Sequence, residues 1–437
     1  MTHLSWLSIV RLGLVQLCLG AIVVLTTSTL NRLMVVEAAL PAVLPGLLVA
    51  LHYGVQITRP NWGFRSDSGG DRARFIVLGM LALALGGFLA AFGFVVMTSA
   101  YWPGLAVSVL AYALIGMGVG ASGTSLLALL ATATHPRRRA AAATITWLMM
   151  IFGIAVTATV VGKMLDPYSP ARLLELVAAV GLIAVTLTVA AIWGIEARHG
   201  GMEPPREARQ SFRAGIAEIW AEPRARHFTL FIFLSMTAYF MQELILEPYA
   251  GLAFGFTPGQ STQLSGAQNG GVFVGMLTVG IAATGLRIGS LRAWVMLGCA
   301  GSALALTVIA LAGQIVGGGA LLLPATIGLG VFNGMFAVAA IGSMMALAGE
   351  GRGAREGTRM GLWGASQALA AGFGGLIGAG AVDLTRQFTD TASAFGFVFV
   401  LEAGLFAAAT WMASRVIDGR VIDAQRQPGL IHMVAGE

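Results

Sequence analysis

The sequence predicts an all-α membrane protein with twelve transmembrane helices arranged as two six-helix repeats. Three observations carry this. Charged residues are 11% and apolar residues 57% of the 437, with a mean hydropathy of +0.81; soluble domains average about 25% charged and about 45–50% apolar. Long apolar runs recur along the whole chain, and the two halves repeat several short patterns at near-constant spacing. A chain this poor in charge lacks the polar skin of an ordinary soluble enzyme, a nucleic-acid binder or a disordered scaffold. Its 59 glycines follow no collagen-like period and suit helices that approach closely in lipid.

A hydrocarbon core of about 30 Å needs about 20 apolar residues per helix. The runs that meet this are 12–36, 41–58, 75–99, 104–133, 141–162, 172–195, 228–249, 265–286, 291–313, 319–348, 360–382 and 391–414. The longest connection, 196–227, divides an N-terminal repeat (1–195) from a C-terminal one (228–415), and 416–437 form a tail. Within the connection Phe212, Ile216, Ile219 and Trp220 fall on one helical face. That pattern suits an interfacial helix on the inner leaflet, or a helix covering the cytoplasmic ends of the bundle.

Charge sets the topology. With the N-terminus inside, Lys163, Arg172 and Arg386 lie in outer loops and Arg32 lies within the first span; all the other basic residues, among 26, fall in cytoplasmic segments. This bias predicts a multi-pass inner-membrane protein with both termini cytoplasmic and an even number of spans. It also explains the pI of 9.9 without invoking nucleic acid. Cys18 and Cys299 sit in apolar runs and read as small buried hydrophobes. Arg11 precedes an apolar run with no small-residue cleavage site, so the first span is expected to be retained.

The repeats are visible in pairs of segments. Ile115-Gly-Met-Gly-Val119 matches Ile327-Gly-Leu-Gly-Val331, Val35-Val36-Glu37 matches Ile245-Leu246-Glu247, and Trp147 matches Trp363. Two parallel six-helix repeats are the arrangement of major facilitator transporters. The loop after the second span, Gly63-Phe-Arg-Ser-Asp67-Ser-Gly-Gly70-Asp-Arg72, resembles the G-x-x-x-D-R-x-G-R-R signature of that superfamily. Gly63, Asp67, Gly70 and Arg72 fit, while Ser68 and Asp71 depart. An acid there can cap a helix end and pair with arginine, holding a cytoplasmic gate; the plain alternative is a polar turn.

Charges at lipid depth are costly, so each is a candidate functional residue. Arg32 and Glu37 lie at the outer end of span one, and Glu243 and Glu247 share one face of span seven. Because spans one and seven are equivalent in the repeat, Arg32 is expected to pair with Glu243 or Glu247 and tie the halves together. The alternative is that Glu37 and Glu247 reach the outer interface. Glu247 precedes Pro248 and Glu37 lies shortly before Pro41, so both acids are expected where an outer helix end loosens. His52 is the histidine deepest in a span, either a ligand to the Mg of a tetrapyrrole or a packing residue. Asn31, Gln242, Gln268, Asn269, Asn333 and Gln367 read as interhelical hydrogen-bond partners, and Gly116/Gly120, Gly271/Gly275, Gly330/Gly334 and Gly374/Gly378 as close helix contacts. No nucleophile elbow, Walker sequence, metal-spaced His/Cys cluster or Asp-rich N-D-x-x-D diphosphate site occurs. The sequence therefore predicts neither covalent chemistry nor a bound metal ion.

Four stretches are similar to one family: Thr29-Leu-Asn31-Arg32-Leu-Met-Val-Val-Glu37, Arg59-Pro-Asn-Trp-Gly63-Phe-Arg65-Ser-Asp67, Gln242-Glu243-Leu-Ile-Leu-Glu247-Pro248-Tyr249 and Met360-Gly361-Leu-Trp363-Gly364-Ala-Ser-Gln367. Together they resemble the PucC-like bacteriochlorophyll-delivery family, relatives of the major facilitators, over essentially all twelve spans. Within it the chain resembles the branch historically named for bacteriochlorophyll synthase, and lacks the long polar N-terminal extension of light-harvesting-1 assembly factors. The resemblance implies a photosynthetic membrane, bacteriochlorophyll as bound cargo, and light-harvesting apoproteins or a pigment synthase as partners besides membrane lipid. It makes His52, Asn31, Trp363 and Gln367 candidate pigment contacts. The reading outside the family is a proton-coupled transporter of a small solute, working through Glu243 or Glu247.

Overall fold

The computed structural model describes residues 4–56, 72–135, 138–195, 220, 222–286, 288–349 and 356–417. The described residues form helices and no strand. In chain order they are α1 (Trp6–Glu37), α2 (Val43–Val55), α3 (Arg72–Met97), α4 (Tyr101–Ala133), α5 (Arg139–Leu165), α6 (Pro170–Ile192), α7 (Pro223–Phe254), α8 (Pro258–Val279), α9 (Leu291–Ala312), α10 (Gly319–Gly349), α11 (Glu356–Thr385) and α12 (Thr391–Val416). Nine helices among the described residues are long and apolar enough to cross a membrane by length and composition. Of the others, α2 is short, α8 is rich in Gln, Ser and Gly, and α11 has only its later part, Leu369–Thr385, as an apolar stretch. The protein is an all-helical, multi-pass membrane protein.

The helices pair in a regular pattern. In the first half α1 packs on α5 and α6, α3 on α4 and α6, and α2 on α4; in the second half α7 packs on α11 and α12, α9 on α10 and α12, and α8 on α10. Each pairing recurs six helices later. Two seams join the halves: α2 against α11 and α5 against α8. The apolar interior divides accordingly. One cluster runs from Leu4 to Ile195 and takes in Leu244 from the other half; the second runs from Phe228 to Ile417.

Glycine permits the closest approaches. A Cβ on Gly275 would stand 2.0 Å from the Val331 carbonyl oxygen, and one on Gly330 2.0 Å from that of Gln268. These contacts lock α8 onto α10, as small residues do in lipid. Gly116 meets the His52 carbonyl of α2, while Gly374 and Gly378 meet the α7 backbone. Cys18 and Cys299 are buried and free.

Helix ends differ from expectation at one acid. α7 continues through Glu247 and Pro248 to Phe254, and stops at left-handed Gly255 with φ of 71°. Tertiary packing of an otherwise apolar helix carries it past the missing Pro248 donor. Glu247 is therefore inside a helix and not at a loosened end. The matching part of α1 is irregular: two π-helical turns, Leu25–Thr29 and Leu33–Glu37, flank a short α-helical stretch. Ala39, with φ of 50°, then turns the chain towards α2. Gly63, Asp67 and Gly70 of the loop signature, and residues 211–219 of the expected interfacial helix, lie outside the described residues; Arg72 begins α3.

Candidate functional site

The irregular part of α1 brings its polar residues against α7 and α8. A π-helical turn shifts the backbone by one residue and is a common feature of functional sites. Within the first of these turns the Thr26 carbonyl accepts the Tyr112 hydroxyl of α4 at 2.7 Å. The residues that follow face the second half. The Ser28 hydroxyl donates to the Glu247 carboxylate, and the Ser28 and Ser265 hydroxyls lie 2.9 Å apart. A hydroxyl has one proton, so Ser28, donating to Glu247, accepts from Ser265. Asn31 Nδ2 donates to the Leu244 carbonyl at 2.7 Å, and the Thr262 hydroxyl donates to that of Thr29 at 3.2 Å. Ser28, Asn31, Gln242, Glu247, Thr262 and Ser265 are all buried. Buried polar groups are expensive to leave without partners, so this network joins α1, α7 and α8 specifically.

Arg32 does not pair with Glu243 or Glu247. Its Nη1 holds Glu37 at 2.5 Å and its Nη2 donates to the Phe256 carbonyl at 2.7 Å. The reason is local geometry. In a π-helical turn residues five apart share a face, so Arg32 and Glu37 meet within α1 before Arg32 can reach α7. Arg32 is 2% exposed and Glu37 38%, so the pair has one end in the protein and one towards the surface. The halves are tied at this level, but by hydrogen bonds. Glu243, one turn before Glu247, is half-buried and faces the Thr27 hydroxyl and Tyr239.

The four candidate pigment contacts lie on three helices, α1, α2 and α11. His52 is buried in α2, with Nε2 at 3.0 Å from Gln56 Nε2 and its ring edge-on to Tyr53. Trp363 is fully buried between α11 and α7; its indole N–H donates to the Thr229 hydroxyl at 3.1 Å and its ring packs on Phe228. Gln367 is half-buried, one turn further along α11. Asn31 belongs to the α1–α7 network.

Sequence reading missed three acids. Glu402 is fully buried in α12, and neither carboxylate oxygen has a hydrogen-bond partner among the described residues. A lone acid inside the last apolar run was the available signal. Asp166 and Asp383 stand at helix ends and cap helices across the two seams; no local pattern announces such a contact. Among the described residues no group of three or more His, Cys, Asp or Glu could hold a metal ion.

Comparison with known proteins places this architecture. Among solved structures, a D-xylose-proton symporter superposes with a TM-score of 0.75 at 14% identity, covering 94% of this chain and 97% of that one. A peptide transporter POT in complex with sulfate superposes with a TM-score of 0.70 at 16% identity, covering 96% and 97%. At that identity the likeness concerns the fold alone. Among sequences, the "Bacteriochlorophyll synthase 44.5 kDa chain" of Rhodobacter capsulatus is 67% identical over 417 residues, spanning 95% of this chain and 97% of the relative. "Protein PucC" of the same organism is 29% identical over 416 residues, spanning 90% and 89%. The family model described as PUCC protein matches residues 29–421, and the chain belongs to that family.

Proposed function

We propose that this protein handles bacteriochlorophyll in a photosynthetic inner membrane, handing it to light-harvesting apoproteins or supporting their assembly with pigment. Membership of the PUCC family over residues 29–421 carries the reading, and the name of one relative, a bacteriochlorophyll synthase chain, supports the link to that pigment. In this reading the chain crosses the membrane twelve times as two parallel six-helix repeats, with both termini in the cytoplasm. The recurrence of each helix pairing six helices later supports the repeats, and the arginine distribution supports the orientation. The chain carries out no covalent step, consistent with the lack of an Asp-rich diphosphate motif in the sequence. Pigment, membrane lipid and light-harvesting apoproteins or a pigment synthase are its partners. Cargo with a long hydrocarbon tail would enter from lipid between helices, which suits a bundle whose lateral surface is apolar.

One observation favours a second reading. Glu247 is a buried carboxyl in a network that joins both halves, as an ion-coupled transporter of a small solute would require. Purification in mild detergent, followed by an absorption spectrum, separates the two. Co-purifying bacteriochlorophyll supports pigment handling. A colourless protein that drives solute flux with a proton gradient overturns it in favour of transport.

A further inference from the structure

Asp383, near the end of α11, accepts the backbone N–H groups of Ala42 at 3.0 Å and Val43 at 2.7 Å. These are the first donors of α2, whose N-cap residue Ala42 makes no side-chain cap of its own. Asp166, just past the end of α5, accepts the N–H of Gly259 at 3.1 Å and the hydroxyl of Thr257. Those belong to the start of α8. The same sequence offset separates Asp166 from Asp383 and Ala42 from Gly259. In each case an acid at the end of a helix of one half caps the opening turn of a helix in the other half. The first turns of a helix carry unpaired N–H groups and a partial positive charge, so a carboxylate there is favourable twice over.

Both caps lie at one end of the bundle, and the two seams are the lines along which the halves meet. The network of Ser28, Asn31 and Arg32 with α7 and α8 crosses between the halves towards the same end. We propose that Asp166 and Asp383 are paired latches, one on each seam, that hold this end closed, and that the halves part there only when both caps release. The latches are unequal. α8 keeps an internal capping box between Thr257 and Gln260 when Asp166 lets go, whereas α2 loses the acceptor for both of its first donors when Asp383 does. Asp383 is the stronger latch.

The test uses the full chain in lipid nanodiscs, with Cys18 and Cys299 replaced by alanine. Spin labels go on Glu175→Cys and Val316→Cys, exposed positions at the latched end of opposite halves. Pulsed dipolar spectroscopy reads the distance between them. The parent should show one compact distribution. Asp383→Ala should raise the ratio of long to short distances about fivefold, Asp166→Ala less, and the double variant about tenfold or more, as expected for losing two caps. Asp166→Asn with Asp383→Asn retains an acceptor oxygen at each site and should stay compact. A double alanine variant with the parent's distribution overturns the proposal, as does an asparagine pair that opens as far as the alanine pair. If the double alanine variant is not monodisperse, Asp383→Ala alone decides: a raised ratio supports the latch and an unchanged one overturns it.

Discussion

Arg32 and Glu37 form an ion pair inside a single helix, closed at 2.5 Å across one π-helical turn. Among the described residues the pairing leaves Arg32 one hydrogen bond to the other half, to the Phe256 carbonyl. A double-mutant cycle should therefore give a larger coupling between Arg32→Ala and Glu37→Ala than between Arg32→Ala and Glu247→Ala. Glu37 is partly exposed, so the first coupling should be about 0.5–1 kcal/mol, well under the value for a fully buried pair. Unfolding in detergent measures all four corners. A larger Arg32–Glu247 coupling would contradict the observed pairing.

Ser28 donates to the buried Glu247 carboxylate. Removing it leaves a buried carboxyl with weaker satisfaction, since Ser265 was oriented through Ser28. Ser28→Ala should destabilise by about 1–3 kcal/mol. Ser28→Thr, which keeps the hydroxyl, should cost less unless its extra methyl clashes. Thermal unfolding of the two variants, each also made in a Glu247→Leu background, checks the order: alanine worst, and the loss largely absent once Glu247 has itself been replaced by an apolar residue.

Asp390 offers a surface test of pH dependence. It is the N-cap of α12, accepting from the Ser393 N–H at 3.1 Å. Hydrogen bonds from Ser393 hold its carboxyl below the usual range. A depressed folded-state pKa means the capping contribution is present above the unfolded value and is lost as pH falls through the folded one. Protection of the first-turn amides of α12, taken relative to the intrinsic exchange rate at each pH, should therefore fall as the solution is acidified below the ordinary aspartate range. In Asp390→Ala the protection should be low throughout, with no such transition. A transition that survives the substitution would belong to another group.

Much of the fold was legible because lipid imposes simple demands. Each apolar run had to become a helix, and each run marked in the sequence overlaps one of α1 to α12. The pairs Gly271/Gly275, Gly330/Gly334 and Gly374/Gly378 were legible for the same reason, since small residues four apart let such helices approach closely. The site was less legible. Arg32, Glu37 and Glu247 were marked by their charge, but their partners depended on two π-helical turns that no pattern in Leu25–Glu37 announces. Ser28, Thr262 and Ser265 were invisible because hydroxyls are tolerated in any membrane helix. Asp166 and Asp383 act on helices distant in sequence, a contact that only the packed structure creates.

The final prediction concerns the grip of α8 on α10. Gly275 and Gly270 lie on one helix with opposite surroundings: a Cβ at Gly275 would come within 2.0 Å of the Val331 carbonyl oxygen, whereas one at Gly270 meets nothing within 4 Å. The close neighbour at Gly275 is backbone and cannot rotate away, so the helices themselves would have to separate. Gly275→Ala should then cost about 1–3 kcal/mol, the range for overpacking a tight interior. Gly270→Ala should be neutral or stabilising by up to about 1 kcal/mol, because alanine loses less backbone freedom on entering a helix. Thermal midpoints in detergent compare the two directly. α8 also carries Thr262 and Ser265, which meet Thr29 and Ser28 of α1, so a displaced α8 would weaken the α1–α7–α8 network as well. Gly275→Ala combined with Ser28→Ala should therefore fall short of the sum of the two single losses, as coupled sites do. Full additivity would mean that the glycine contact and the polar network are energetically separate.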